Sequence, residues 1–509
     1  MRSKTTLRSA ISSITLAILS TTMMVLAFPN YELWYLAWIA FAPLILAAMR
    51  SHPLQAFLIG LIFGTTFFYG SSYWITNSMI AHGKITPAVA YLLAIIPAVA
   101  LGAFSGIFCF LLSLTTLRLG AYAAFATPLL WTTTEYLRHQ ITDMGWNMVG
   151  YSQSFVPELI WPASYGGVYL VGALTTIPAL GTALAIVTKD KRLLCFLLLP
   201  VAVYLSAKLM TKPKQQSDIE INVVVVQANA PVGDVPATAL DEALQRQIDM
   251  TDACLKSLGN KRPVLVIWPE APFNFAIDTD PQVKSAFEHY VRSRDVYLIF
   301  NANTQRAEKT YNSVLLMSPS GKRLAVYDKI HLLPFGEYVP FRNLPLFAEI
   351  AAIAGEYEAG KSANLLEFEG YKLGPSICFE AVFPELHVEF ARRGAQALVN
   401  VADDAWFGNS PEMRQHLAHA VMRSVETGLR QFRVTNTGIT ALITPDGKVE
   451  DETKPLENAS RLWKLQSLNP TPTTYVKYGD TYAISACILT VCLVCVSLLR
   501  RDSTQSKKG

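Results

Sequence analysis

At roughly 150 residues per domain the 509-residue chain has room for about three domains, but 51% of its residues are hydrophobic and only 16% charged, against about 25% charged in an ordinary soluble domain. With a mean hydropathy of +0.28, that balance excludes a wholly water-soluble protein. The net charge of +4 comes from outside residues 213–478, which are themselves slightly acidic; no clustered basic face is left for nucleic acid, so none is expected as a partner.

Taken in chain order, apolar stretches of spanning length, about 17 to 25 residues, fall near 9–28, 31–49, 54–74, 87–114, 119–137, 162–187 and 193–210, with an eighth near 481–499. The fifth ends in polar groups, Thr132 to Glu135 and Arg138. The first follows Arg2, Lys4 and Arg8 but has no small-residue cleavage site before the next run, so it reads as an uncleaved anchor. Arg50, Arg118, Lys189, Lys191, Arg192, Arg500, Arg501, Lys507 and Lys508 share one face with the N-terminus by alternation, whereas the opposite short loops hold only Lys84 and Arg138. Positive charge stays in the cytoplasm. The expected organisation is therefore a seven-helix transmembrane domain over 1–212, an extracytoplasmic domain over 213–478, and a C-terminal transmembrane helix with a cytoplasmic tail over 479–509.

Residues 213–478 alternate short β-rich runs with amphipathic stretches. Strands are expected at 222–227, 264–268, 296–301, 312–318, 324–327, 373–378, 397–401 and 440–444, and helices near 237–258, 281–294, 383–394 and 412–430. Strands joined by a tight turn at Pro319 to Gly321, beside strands separated by helices, predict layered α/β structure with a mixed sheet. Of seven cysteines, five lie in apolar runs, leaving Cys254 and Cys378. Two isolated thiols form neither a disulfide framework nor a CxxC metal pattern, but one of them can be a nucleophile.

Three predicted strands end in reactive side chains, Glu270, Lys329 and Cys378, and α/β active sites gather at strand ends. A carboxylate that takes a thiol proton, a thiolate that attacks a carbonyl and an ammonium that steadies the oxyanion make a nucleophilic set. Singly, each residue reads more readily as a buried small hydrophobe or a solvated charge. The words around them say more: WPEAP at Glu270, YNS at Asn312, YDKIHLLPFGEYVPF around Lys329 and Glu337, ICFE at Cys378, DAWFG at Asp404 to Gly408, and NTGITALITPDG from Asn436. This text resembles the nitrilase superfamily, and within it the membrane-embedded apolipoprotein N-acyltransferase family, over essentially the whole chain.

The resemblance implies an αββα sandwich carrying a Glu270, Lys329, Cys378 triad, with Glu337 supporting Lys329 and with Asn312, Phe379 and Glu380 lining or bracing the site. Phe379 and Asp403 stand where the family often has Tyr and Asn, which puts a role for those side chains in doubt. The implied reaction moves an acyl chain from a phospholipid, phosphatidylethanolamine foremost, through a Cys378 thioester to the α-amine of a diacylglyceryl-cysteine apolipoprotein, at the bacterial inner membrane with the catalytic domain periplasmic and both termini cytoplasmic.

Two apolar features beside the charged candidates fit a lipid substrate. Phe341 to Ala354 reads as a bilayer-dipping lid or as an ordinary packed helix, and Trp146 and Tyr151 as interfacial anchors or as residues that line a headgroup or acyl chain. Rival readings are a membrane-anchored amidase, in which water resolves the acyl-enzyme, and a non-enzymatic membrane protein that only binds lipoprotein. Apart from Glu32 and Glu135, expected at span edges, the spans are nearly free of ionisable residues, unlike the intramembrane charges of transporters. His416 and His419, three apart on a predicted helix, read as surface or core histidines rather than metal ligands, and a Cys378/His387 dyad is disfavoured against Glu270 as base. There is no P-loop, dinucleotide fingerprint or Gly-x-Ser-x-Gly, so no cofactor or metal is expected.

Overall fold

Continuous apolar runs fold as helices in one unit of the chain, residues 1–212 with 478–509, and short β-branched runs fold as strands in the other, residues 213–477. The computed structural model describes residues 2–209 (side chains from 11), 220–233, 235–270, 273, 275–339, 357–466 and 470–500. The expected lid, Phe341 to Ala354, lies outside the described residues.

The helical unit contains α1 (Arg2–Ala27), α2 (Ala37–Met49), α3 (Pro53–Ser72), α4 (Ile75–Ala81), α5 (Pro87–Leu93), α6 (Ile95–Leu119), α7 (Thr127–Thr142), α8 (Pro157–Ile160), α9 (Ala163–Thr188) and α10 (Leu199–Leu209). Among the described residues, five stretches are long and apolar enough to cross a membrane: Pro53–Ser72, Pro87–Leu119, Ala163–Thr188, Lys191–Leu209 and Thr481–Leu499. Ile11–Ala27 and Trp34–Met49 are shorter apolar helices. Helices α3 and α6 meet through small residues. A Cβ built on Gly64 would lie 2.6 Å from the Gly102 Cα, and one on Gly60 2.3 Å from the Ser105 carbonyl oxygen. Such close backbone approach is what gives lipid-embedded helices their packing contact.

The 119–137 run breaks at Gly120 (φ +93), makes a 3₁₀ turn over Ala121–Ala126 and then forms the 16-residue α7. Glu135, expected at a span edge, sits in the body of α7 at 3% exposure. Its Oε1 accepts the Val149 N–H at 2.7 Å, while Arg138 Nη1 donates to the carbonyls of Met144 (2.7 Å) and Trp146 (3.0 Å). The loop after α7 folds back onto it, so polar groups that read as a helix end are partnered inside the unit.

The second unit holds two six-stranded sheets. In the first the order is β12-β1-β2-β3-β4-β5, with β1 (Glu220–Gln227), β2 (Val264–Ile267), β3 (Tyr297–Arg306), β4 (Lys309–Met317), β5 (Arg323–Asp328) and β12 (Ala459–Gln466). In the second it is β11-β10-β9-β8-β7-β6, with β6 (Leu366–Phe368), β7 (Tyr371–Ile377), β8 (Ala397–Ala402), β9 (Arg430–Thr435), β10 (Ala441–Ile443) and β11 (Val449–Glu450). Each sheet is parallel at its centre and antiparallel toward its edges.

Alternate residues of the first sheet, Val224, Val226, Val264, Val266, Leu298 and Phe300, pack against α11 (Ala237–Leu258) and α12 (Pro281–Arg294). Their neighbours Val223, Val225, Leu265, Ile267 and Ile299 are also fully buried, as the period-two geometry of a strand covered on both faces requires. Strands β1, β4 and β5 meet β9, β7 and β6, and α13 (Pro384–Arg392) and α14 (Glu412–Thr427) pack on the second sheet. The layering is helix, sheet, sheet, helix. Local signals set the helix ends: the Asp280 carboxylate accepts the amides of Gln282 (2.8 Å) and Val283 (3.3 Å) ahead of Pro281, and Gly428 (φ +71) stops α14.

Candidate active site

Glu270 lies three residues beyond β2, Lys329 directly follows β5, and Cys378 directly follows β7, so the two sheets contribute to one cluster at their strand ends. Lys329 Nζ is 2.9 Å from both carboxylate oxygens of Glu337 and 4.0 Å from Glu270 Oε1. The Cys378 side chain lies beside the Glu270 carboxyl, close enough to help lower its pKa. Asn312, in β4, donates from Nδ2 to Glu270 Oε1 at 3.1 Å and to Glu337 Oε1 at 2.7 Å, tying the two carboxylates together. Its own Oδ1 accepts from Asn301 Nδ2 at 2.6 Å. The Lys329 N–H donates to the Asn312 carbonyl at 2.8 Å, which fixes the lysine where the strand ends. Glu337 accepts the Leu333 N–H at 2.8 Å, so it is held in place by its own loop.

The electrostatics follow from burial. Lys329 is 2% exposed. Burial opposes its charge, but Glu337, Glu270 and Cys378 outweigh that cost and hold its pKa above the usual lysine range, so it stays an ammonium. Burial raises the Glu270 carboxyl above the ordinary carboxylate value, with Lys329 pulling it down and Glu337 pushing it up. Burial and the Glu270 charge push the Cys378 thiol well above its usual range against the pull of Lys329. The resting nucleophile is a neutral thiol beside a base of raised pKa, arranged to lose its proton as it attacks.

The other expected residues are placed as follows. Glu380 is fully buried and braces rather than lines. Its Oε1 accepts from Tyr327 Oη (2.7 Å), Ile330 N (2.7 Å) and His331 N (3.1 Å), and its Oε2 from Ile377 N (2.8 Å). It thereby joins the lysine loop to the strand that presents the nucleophile. The Phe379 ring packs edge-on against Phe383, centroids 5.3 Å apart. Asp403 reaches Glu270 through its backbone, its N–H donating to Glu270 Oε2 at 3.1 Å, while its carboxylate accepts from Ala405 N, Asn436 Nδ2 and Thr437 Oγ1. Trp146 belongs to the helical unit, 7% exposed and packed on Trp74 at 5.2 Å.

Neither isolated alternative holds. His387 Nδ1 bonds the Phe383 carbonyl at 2.9 Å and its pKa falls to about 3 through burial and Arg423, so it is a neutral helix residue rather than a dyad base. Cys254, on α11, packs half-buried against the hydrophobic core.

One set of buried groups was not assigned from sequence. His416 Nε2 is 2.9 Å from the Cys378 carbonyl oxygen, and its Nδ1 is 2.8 Å from Asp404 Oδ1 and 3.4 Å from Glu412 Oε1. Arg433, fully buried in β9, donates to Asp404 Oδ2 (2.9 Å) and Asn400 Oδ1 (2.6 Å). Asp404, Glu412 and His416 lie close enough together to hold a metal ion, but Arg433 and His416 already answer the Asp404 charge. The DAWFG word containing Asp404 was the one available signal.

Comparison with known proteins fits both units. Residues 20–180 match the family described as the apolipoprotein N-acyltransferase N-terminal domain, and residues 225–458 match the carbon-nitrogen hydrolase family. The apolipoprotein N-acyltransferase of Geobacter metallireducens is 30% identical over 512 residues, covering 96% of this chain and 95% of its own. That of Allorhizobium ampelinum is 30% identical over 465 residues, covering 86% and 85%. Among solved structures, Saccharomyces cerevisiae Nit3, of branch 10 of the nitrilase superfamily, aligns at 18% identity with a TM-score of 0.39, covering 50% of this chain and 93% of that one. With a full-length relative at this identity, a carbon-nitrogen hydrolase domain and a set of apolar helices, the chain belongs to the apolipoprotein N-acyltransferase family of membrane enzymes.

Proposed function

We propose that the protein transfers an acyl chain from a phospholipid, foremost phosphatidylethanolamine, to the α-amine of a diacylglyceryl-cysteine apolipoprotein in two half-reactions at one site. The observation that carries this reading is the junction of Glu270, Lys329 and Cys378, locked by Glu337 and Asn312. Glu270 takes the Cys378 proton as Sγ attacks the ester carbonyl carbon. The carbonyl π electrons move to oxygen, and the oxyanion is held by Lys329, whose third N–H is left over from the Glu337 pair, and by the Phe379 N–H. Collapse expels the lysophospholipid alkoxide, which takes the proton back from Glu270 and leaves a thioester on Cys378. The apolipoprotein amine then attacks the thioester carbonyl and gives its proton to Glu270. Sγ departs, regains that proton, and the product is an amide.

The same reading assigns eight membrane spans, seven within 1–212 and one within 479–509, around a catalytic domain over 213–478. It places that domain on the periplasmic side of the inner membrane with both termini in the cytoplasm. Its support is the alternation of positive charge between the apolar runs together with the five long and two shorter apolar helices.

The test is intact-protein mass after incubation of the detergent-solubilised chain with phosphatidylethanolamine, then with a diacylated peptide amine. The expected result is an acyl-sized gain that hydroxylamine removes, that moves to the peptide and that is absent in Cys378→Ser. A gain that discharges to water alone favours an amidase-like hydrolase. Unimpaired transfer by Cys378→Ser rules out the nucleophile assignment.

A further inference from the structure

The hydrogen bonds around His416 fix its protonation without reference to any titration. A backbone carbonyl can only accept, so the 2.9 Å contact with the Cys378 oxygen places a proton on Nε2. Asp404 is gripped through its other oxygen by the buried Arg433 guanidinium, and an ionised carboxylate also only accepts, so the 2.8 Å contact places a second proton on Nδ1. Both nitrogens donate, and His416 is an imidazolium, 1% exposed, one peptide away from the nucleophile.

The charges facing it are Glu412 from its own helix, Asp404 from the turn after β8 and Arg433 from β9, with Glu270 and Lys329 beyond Cys378. Burial and Arg433 oppose the imidazolium, yet Asp404 and Glu412 carry its pKa above the ordinary histidine value. Burial likewise works against the Asp404 charge, and Arg433 and His416 overcome it. Cys378 itself has φ +50, a left-handed backbone that a non-glycine residue keeps only when its surroundings impose it.

We propose that His416 is a positioning residue of the acyl transfer: its imidazolium, held by Asp404 and Glu412, pulls on the carbonyl of the Cys378–Phe379 peptide, fixing the nucleophile's left-handed backbone and polarising the Phe379 N–H that receives the oxyanion. Hydrogen bonds in series strengthen one another because a carbonyl that accepts makes the N–H of the same peptide a better donor. The cation also offsets, from behind, the negative charge that forms on sulfur and then on oxygen. This rests on the acyl-enzyme reading above, to which it adds a fixed second cation besides Lys329.

The experiment is single-turnover acylation of Cys378 by a phospholipid, read by intact mass in the full-length protein from about pH 6 to about pH 10. Lys329 is held above the usual lysine range, so His416 is the site cation expected to titrate in that window, and the wild-type rate should fall at the alkaline end as His416 loses its proton. His416→Gln, which keeps an N–H for the carbonyl but no charge, should acylate about tenfold more slowly with an unchanged KM for phospholipid and no alkaline fall. A slower variant with the alkaline fall still in place marks His416 as packing alone and overturns the proposal, as does a variant with the wild-type rate. Should His416→Gln not fold, Glu412→Gln serves instead: removing a facing negative charge should move the alkaline fall to lower pH, and an unmoved fall overturns the proposal. Wild-type protein that forms no thioester at any pH overturns the acyl-enzyme reading itself, an outcome distinct from all of these.

Discussion

Glu270 accepts hydrogen bonds from the Asn312 amide and the Asp403 N–H, lies 4.0 Å from the Lys329 ammonium and sits beside the Cys378 side chain. These contacts favour its ionised form and aim it, while burial outweighs them and raises its pKa, making it more basic toward a thiol that is itself raised. The pH dependence has a definite sign. A base works only when deprotonated, so the acylation rate falls as pH drops through the Glu270 pKa, which lies above the ordinary carboxylate value. Glu270→Gln should lower single-turnover acylation by about 10²- to 10⁴-fold and abolish that acid-side fall. A variant that keeps the wild-type rate and the same acid limb would show that another group is the base. Lys329 and Glu337 are the converse case, two opposite charges bonded through both carboxylate oxygens and pinned by loop amides, which leaves the ammonium pre-aimed for charge that appears only during reaction.

Among the elements, the α3–α6 pair and strand β9 show two different ways of tolerating an unusual sequence. The α3–α6 contact depends on glycines: the space for a Cβ on Gly64 is filled by the Gly102 backbone and the Ser105 hydroxyl. Gly64→Leu should destabilise the helical unit by about 3 kcal/mol, checked by thermal unfolding in detergent, and an unchanged midpoint would mean that the two helices separate freely. Strand β9 carries Arg430, Gln431 and Arg433, an unpromising strand by composition, and its start was expected to belong to the preceding helix. It lies inside the second sheet because Arg433 finds Asp404 and Asn400, so burial of its charge is answered on the spot. Strand β12 was also unrecognised. Its exposed alternate residues, Leu462 and Lys464 among them, mask an eight-residue antiparallel pairing with β1 more than 200 residues away in sequence.

For the molecule as a whole, the proposal joins membrane insertion to an exposed catalytic domain. The charge alternation can be checked on its own. A cysteine introduced at Ser257, an exposed residue of α11, should react with a membrane-impermeant maleimide applied from the periplasmic side, whereas labelling only after the cytoplasmic face is opened would reverse the topology. Division of the chain into a helical unit and an α/β unit has a simple physical origin. Runs apolar on every face have no stable home in water and satisfy their backbone as helices in lipid. The β-branched runs bury one face on helices and the other on a second sheet.

What the chain determined by itself was whatever depends on neighbours close in sequence. Apolar run length marked the long apolar helices, period-two and period-3.6 patterns marked β1 to β5, β7, β8 and β10 and the helices α11 to α14, and reactive residues just past strands marked Glu270, Lys329 and Cys378 as candidates. The partners that make Glu380 a brace rather than a lining residue, the bridge from Asn312 between two carboxylates and the buried position of Glu135 emerged only in three dimensions. So did the chain of contacts from Arg433 through Asp404 and His416 to Cys378. The reason is the same in each instance: a buried polar or charged group must find a partner, that partner sits on another strand, helix or loop, and no local periodicity says which residue it is.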